Sequence, residues 1–158
     1  MTYSPTRRHV LGFMATASAW SFAGCAFAEE SLPNVAVSKD PNCGCCTGWV
    51  DHLLQTGFPV AVTNAPDLSS VKARLGVPHN LSSCHTAEVG GYVIEGHLPA
   101  DAIKRLLRER PQAVGLALPG MPIGSPGMEG GTPEDYEVIL FGKEGRGVFG
   151  RYRESRAL

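Results

Sequence analysis

The spacing of apolar and polar positions predicts an ordered series of strands and helices from residue 33 onward. Val35-Ala36-Val37-Ser38 is a short β-branched run bounded by Pro33-Asn34 and Asp40-Pro41, which predicts a buried strand. After a cysteine-rich loop, Gly48 to Gln55 carries Val50, Leu53 and Leu54 at i, i+3 and i+4. That spacing predicts a helix, and Gly57 closes it. Phe58 to Val62 reads as a second strand. Asp67-Leu68-Ser69-Ser70 offers capping side chains for a short helix through Arg74-Leu75, stopped by Gly76 and Pro78. Ser83 to Val89 and Tyr92 to Glu95 predict a hairpin across Gly90-Gly91. Pro99-Ala100-Asp101 opens the best helix, with Ile103, Leu106 and Leu107 on one stripe and Pro111 as its stop. Ala113 to Pro133 is rich in Gly and Pro and reads as mostly irregular. Tyr136 to Phe141 and Val148 to Tyr152 predict a last hairpin around Gly142-Lys143-Glu144-Gly145.

Strand, cysteine loop, helix, strand, helix, hairpin, helix is the order of a thioredoxin-like α/β domain, built on one right-handed crossover. The Gly/Pro-rich loop and the C-terminal β-hairpin are additions to it. No internal repeat or low-complexity tract interrupts this layout.

The N-terminus changes the picture of compartment. Arg7 and Arg8 precede an uncharged apolar stretch, Val10 to Phe27, that ends in small residues. This is the tripartite pattern of an export signal, and Thr6-Arg7-Arg8-His9-Val10-Leu11 resembles a twin-arginine motif. Ala26-Phe27-Ala28 fits a cleavage site, which makes residues 1–28 a leader and 29–158 the mature domain. Phe22-Ala23-Gly24-Cys25 alternatively resembles a lipoprotein box, with a lipid anchor on Cys25. Without the leader's two arginines the formal charge moves from −1 to −3. No basic face is left for nucleic acid, and no other segment is apolar enough to span a membrane. A single periplasmic domain is expected.

The candidate chemistry lies in Cys43-Gly44-Cys45-Cys46, three thiols within four residues, and in the distant Cys84. A helix N-terminus there would favour thiolates. Two disulfides are one reading, and four cysteines allow three pairings. Each pairing closes a loop of only two to four residues inside the motif, which removes little entropy from the unfolded chain. Cys43 and Cys46 also have the C-x-x-C spacing of a thiol–disulfide oxidoreductase, but Cys45 puts a third thiol where exchange needs two. Adjacent Cys45 and Cys46 do not easily reach one zinc ion, and iron–sulfur spacings differ. Adjacent thiols do reach different ions. A polynuclear site follows, in which soft Cu(I) ions share bridging sulfurs. In a thioredoxin-like fold, the loop before the third strand lies beside the first helix's N-terminus. Here that loop is Ser82-Ser83-Cys84-His85, so Cys84 completes the cluster.

Met121 and Met128 stand among Gly, Pro and Ser, where a thioether has little to pack against, and both are candidate soft ligands; a lid that caps the site by packing is the alternative. His85, next to Cys84, and His97, just before a helix, are the candidate imidazoles. His52 reads as a helix-face residue and His79 as a turn residue. Trp49 is expected to shield the cluster or join the core.

These segments resemble the thioredoxin-like metal-binding family that includes the periplasmic copper-resistance protein CopG. The resemblance runs through Lys39 to Leu53, Gly76-Val77-Pro78, Ser83 to Ala87, Gly91 to Pro99, Gly115 to Pro122, Gly124 to Glu129 and Tyr136 to Phe141. It implies copper or silver handling in the periplasm beside efflux and resistance components, with metal held by the four cysteines and supported by Met and His. An oxidoreductase role that interconverts Cu(I) and Cu(II) comes with the resemblance alone.

Overall fold

The computed structural model describes Met1 and residues 31–158; the export-signal, cleavage and Cys25 readings fall outside the described residues. Strand β1 (Val35–Lys39) leads into helix α1 (Gly44–Gln55), followed by β2 (Val60–Asn64) and α2 (Leu68–Arg74). A hairpin of β3 (His85–Val89) and β4 (Tyr92–Glu95) precedes α3 (Ala100–Glu109). The chain ends in β5 (Gly115–Ala117), β6 (Asp135–Gly142), β7 (Gly145–Arg153) and β8 (Arg156–Ala157). The eight strands of the described residues form one mixed sheet in the order β2-β1-β3-β4-β5-β6-β7-β8. β1 runs parallel to β2 and β4 parallel to β5, while the other pairs are antiparallel.

Apolar alternation explains how the sheet is covered. Ile94 and Leu116 join Trp49, Leu53, Ile103 and Leu106 in the larger core, under α1 and α3. Their neighbours Val93 and Ala117 point the other way, into a smaller core with Val77, Leu81 and Phe141. Successive side chains of β4 and β5 thus serve opposite layers.

The structure sharpens three expectations. The cysteine motif does stand at the helix N-terminus: α1 begins at Gly44, ahead of the apolar spacing from Gly48, so Cys45 and Cys46 lie in its first turn and Cys43 is its N-cap. Hydrophobic spacing misses that turn because it carries thiols and glycine in place of aliphatic residues. The stretch 113–133 is not wholly irregular: Gly115-Leu116-Ala117 is a fully buried strand inside the sheet. A three-residue strand is too short to show a period, and a Cβ on Gly115 would lie 1.8 Å from the Val93 carbonyl oxygen, so glycine lets β5 close on β4. The last hairpin is therefore continuous with the sheet through β5 and gains β8.

Candidate metal centre

The N-terminal turn of α1 places three sulfurs. The Cys46 N–H donates to Cys43 Sγ over 3.3 Å, a side-chain cap of the helix start. Cys43 and Cys46 are joined as a disulfide, with Cα atoms 5.4 Å apart. With that pair oxidised, only Cys45 and Cys84 are free thiols among the described residues. Cys45 Sγ lies 3.5 Å from Cys43 Sγ. Opposite this turn, the bend before β3 brings in Cys84, whose carbonyl oxygen is 3.8 Å from Cys46 Sγ. The four sulfurs lie within 4.8 Å of one another, although 38 positions separate Cys46 from Cys84.

Cys84 also belongs to a second group. Its Sγ, His85 and His97 each offer a ligand atom, again within 4.8 Å of one another. His97 Nε2 is 2.8 Å from Cys84 Sγ, and His97 Nδ1 is 2.8 Å from the Pro126 carbonyl oxygen. A carbonyl only accepts, so Nδ1 carries the proton and Nε2 presents its lone pair toward the sulfur. His85 Nδ1 lies 3.5 Å from the same sulfur, and its ring sits 4.3 Å from Trp49 and 4.9 Å from His97. Both imidazoles are fully buried. Burial holds each of them below the ordinary histidine range, and His97 depresses His85 further. Burial also pushes the Cys84 thiol up to about 11, helped by Cys45 beside it.

The Gly/Pro-rich loop closes the site from above. A Cβ on Gly127 would stand 2.4 Å from the Cys45 carbonyl oxygen and 2.7 Å from the Trp49 nitrogen, and Gly127 has φ +83°. Only glycine lets this loop rest on the first turn of α1. Met128, the next residue, is half-buried, whereas Met121 is exposed. Trp49 belongs to the core and donates its indole N–H to the Leu98 carbonyl over 2.8 Å. His52 does more than occupy a helix face: its Nε2 accepts from the Ala100 N–H at the start of α3.

Solved structures show what this arrangement is similar to. Two structures titled as copper resistance protein CopG, in two forms, align with TM-scores of 0.73 and 0.72. Each is 46% identical over 77% of this chain and 98% of the other. The chain belongs to the CopG family. A family model described as a protein of unknown function, DUF411, matches residues 81–128, which include Cys84, His85, His97, Met121 and Met128. Among curated proteins none matches.

The donor set is a soft one. Two free thiols and two imidazoles, with two further sulfurs once the disulfide is reduced, suit a thiophilic cation far better than a hard one. His85 Nε2 is the one buried side-chain nitrogen or oxygen among the described residues without a hydrogen-bond partner, and such an orphan calls for an explanation. Sequence reasoning missed two supports of this CopG-like site, the Pro126 carbonyl on His97 and the Glu95 carboxylate beneath Ser83. Glu95 had a signal: it is a charge ending the apolar run Tyr92-Val93-Ile94.

Proposed function

We propose that this chain is a periplasmic copper-binding protein of copper resistance, holding several Cu(I) ions in a cysteine cluster. The observation that carries the reading is the convergence of Cys43, Cys45, Cys46 and Cys84 within 4.8 Å, with His85 and His97 grouped on Cys84. Bound copper supplies a soft centre that accepts bridging thiolates and low coordination numbers. The chain's own residues do the rest. His97 offers Nε2 because Pro126 fixes the proton on Nδ1, and Cys84 gives up its proton when it takes a cation. Cys43 and Cys46 become ligands only after their disulfide gains two electrons and two protons from an external reductant. Met128 follows the glycine seated on α1, and Met121 is exposed on the same loop; both serve as outer thioether ligands or gates.

The fold and location complete the proposal. β2-β1-β3-β4 with α1 and α3 forms a thioredoxin-like half, extended by β5 to β8 and the loop between β5 and β6. Residues 1–28 act as a twin-arginine-like export signal, removed after Ala28 or, in the alternative, replaced by a lipid anchor on Cys25. Periplasmic efflux or resistance proteins are the partners, and silver is a second cargo.

Titrating the reduced full chain with Cu(I) tests this. Uptake of several equivalents and a rise in melting temperature are expected, because a ligand at about 1,000 times its Kd adds roughly 4 kcal/mol. No uptake and no shift would overturn it.

A specific observation favours a second reading, thiol–disulfide exchange or redox cycling of copper: the Cys43–Cys46 disulfide sits at a helix N-terminus. Insulin-reducing turnover that survives Cys45→Ser and disappears in Cys46→Ser would favour disulfide chemistry over storage.

A further inference from the structure

Glu95 ends β4 with no exposed surface, a costly place for a carboxylate unless it is fully partnered. Every partner is a donor. Oε1 accepts from the Ser83 N–H at 2.6 Å and from the Lys72 ammonium of α2, and Oε2 accepts the Thr86 hydroxyl proton at 2.7 Å. Thr86 Oγ1 in turn accepts from Lys72 Nζ at 2.9 Å, so the roles of all four groups are determined.

The positions of these partners matter more than their number. Ser83 immediately precedes Cys84, and Thr86 immediately follows His85. The two oxygens of one carboxylate therefore hold both ends of the Cys84-His85 dipeptide. Glu95 is also two residues before His97. The chain between them turns at Gly96, with φ +85°, where a Cβ would meet Ser83 and the Leu118 carbonyl; the Gly96 N–H donates to the His85 carbonyl. Ser83 Oγ continues the link to the Gly120 carbonyl, next to Met121.

We infer that Glu95, held by Lys72 and Thr86, is the positioning residue of the metal centre: it acts through Ser83 and Thr86 to fix where Cys84 and His85 stand. Buried ion pairs are weak contributors to stability compared with apolar replacements, so position is the better account of this one. The inference rests on the copper reading, and one of its tests uses no metal.

In the reduced, metal-free full chain, iodoacetamide labelling mapped by mass should show Cys84 reacting about tenfold faster in Glu95→Gln than in the unaltered chain, with Cys45 unchanged. Copper retention against a chelator should fall about 10- to 100-fold in Glu95→Gln, in the range of an outer-shell partner. In a Cys84→Ser background the same substitution should cost clearly less, because only its effect through His85 remains. Equal losses in both backgrounds, or an unchanged Cys84 labelling rate, would overturn the inference. Thr86→Val, which keeps the Glu95–Lys72 pair, should move the same readouts in the same direction and serves if Glu95→Gln does not fold. If the unaltered chain takes up no copper, the copper reading fails and the labelling result alone decides for or against Glu95.

Discussion

The two arms of the sulfur cluster are built on different principles. The motif arm, Cys43, Cys45 and Cys46, sits on one helical turn, and two of its sulfurs are joined in a bond that an external reductant would open. The other arm, Cys84 with His85 and His97, has no such bond. Its imidazoles are fully buried, one oriented by a loop carbonyl, and its backbone is tied to an internal ion pair. Reduction of the disulfide would free two more sulfurs in the first arm, while burial and hydrogen bonds hold the second.

The strongest way to break this contrast is to remove one sulfur from each arm. Cys84 is shared by the four-sulfur group and the Cys84-His85-His97 group, whereas Cys45 belongs to the first alone. Cys84→Ser should therefore reduce Cu(I) retention by more than about 100-fold, beyond the range of outer-shell changes. Cys45→Ser should cost clearly less. Competition with a Cu(I) chelator measures both, and equal losses would mean that the arms are not distinct.

The next effect concerns the loop that covers the motif arm. Gly127→Ala puts a Cβ against backbone atoms of Cys45 and Trp49 and forces a non-glycine residue to φ +83°. A loss of about 2 kcal/mol is expected, and a melting temperature lower by roughly 5 °C. His97 should lose its Pro126 partner as the loop lifts, since the acceptor is the residue next to Gly127. An unchanged melting curve would show that the loop does not rest on α1 as described.

How much of each arm was legible in the sequence follows from the same contrast. The motif arm is local: three cysteines in four residues announce themselves at a helix start, and only the apolar period, in which thiols do not register, begins later. The hairpin from β3 to β4 and the helix α3 were legible through Gly90-Gly91 and the Ile103, Leu106 and Leu107 stripe. The second arm is assembled from separated segments. His97 was visible as a candidate, but its orientation depends on a carbonyl 29 positions away. β5 was hidden because burial of a three-residue strand depends on its neighbours in the sheet and leaves no pattern of its own. Disulfide state was not legible either, since C-G-C-C permits several pairings.

The smallest effect tests how the arms are stitched together. Trp49 and His52, both on α1, clasp the segment after His97 by bonding to Leu98 and Ala100. His52 can accept the Ala100 N–H only while Nε2 is unprotonated. Burial holds its pKa below the ordinary 6.5, with Glu129 and Asp101 opposing more weakly. The folded state therefore binds fewer protons than the unfolded chain between 6.5 and that lowered value, so stability falls as pH drops through this window and then levels off. Replacing His52 by Ala leaves the first N–H of α3 without its cap, a loss of about 1 kcal/mol near neutral pH. At about pH 5 the unaltered chain has already given up part of that advantage, so the gap between the two proteins should narrow. Denaturant melts of both proteins across the range measure it. Because His85 and His97 titrate in both, their contributions cancel in the difference. A gap that stays constant with pH would mean that His52 holds the arms together by packing alone, and that the N–H of Ala100 finds its partner elsewhere.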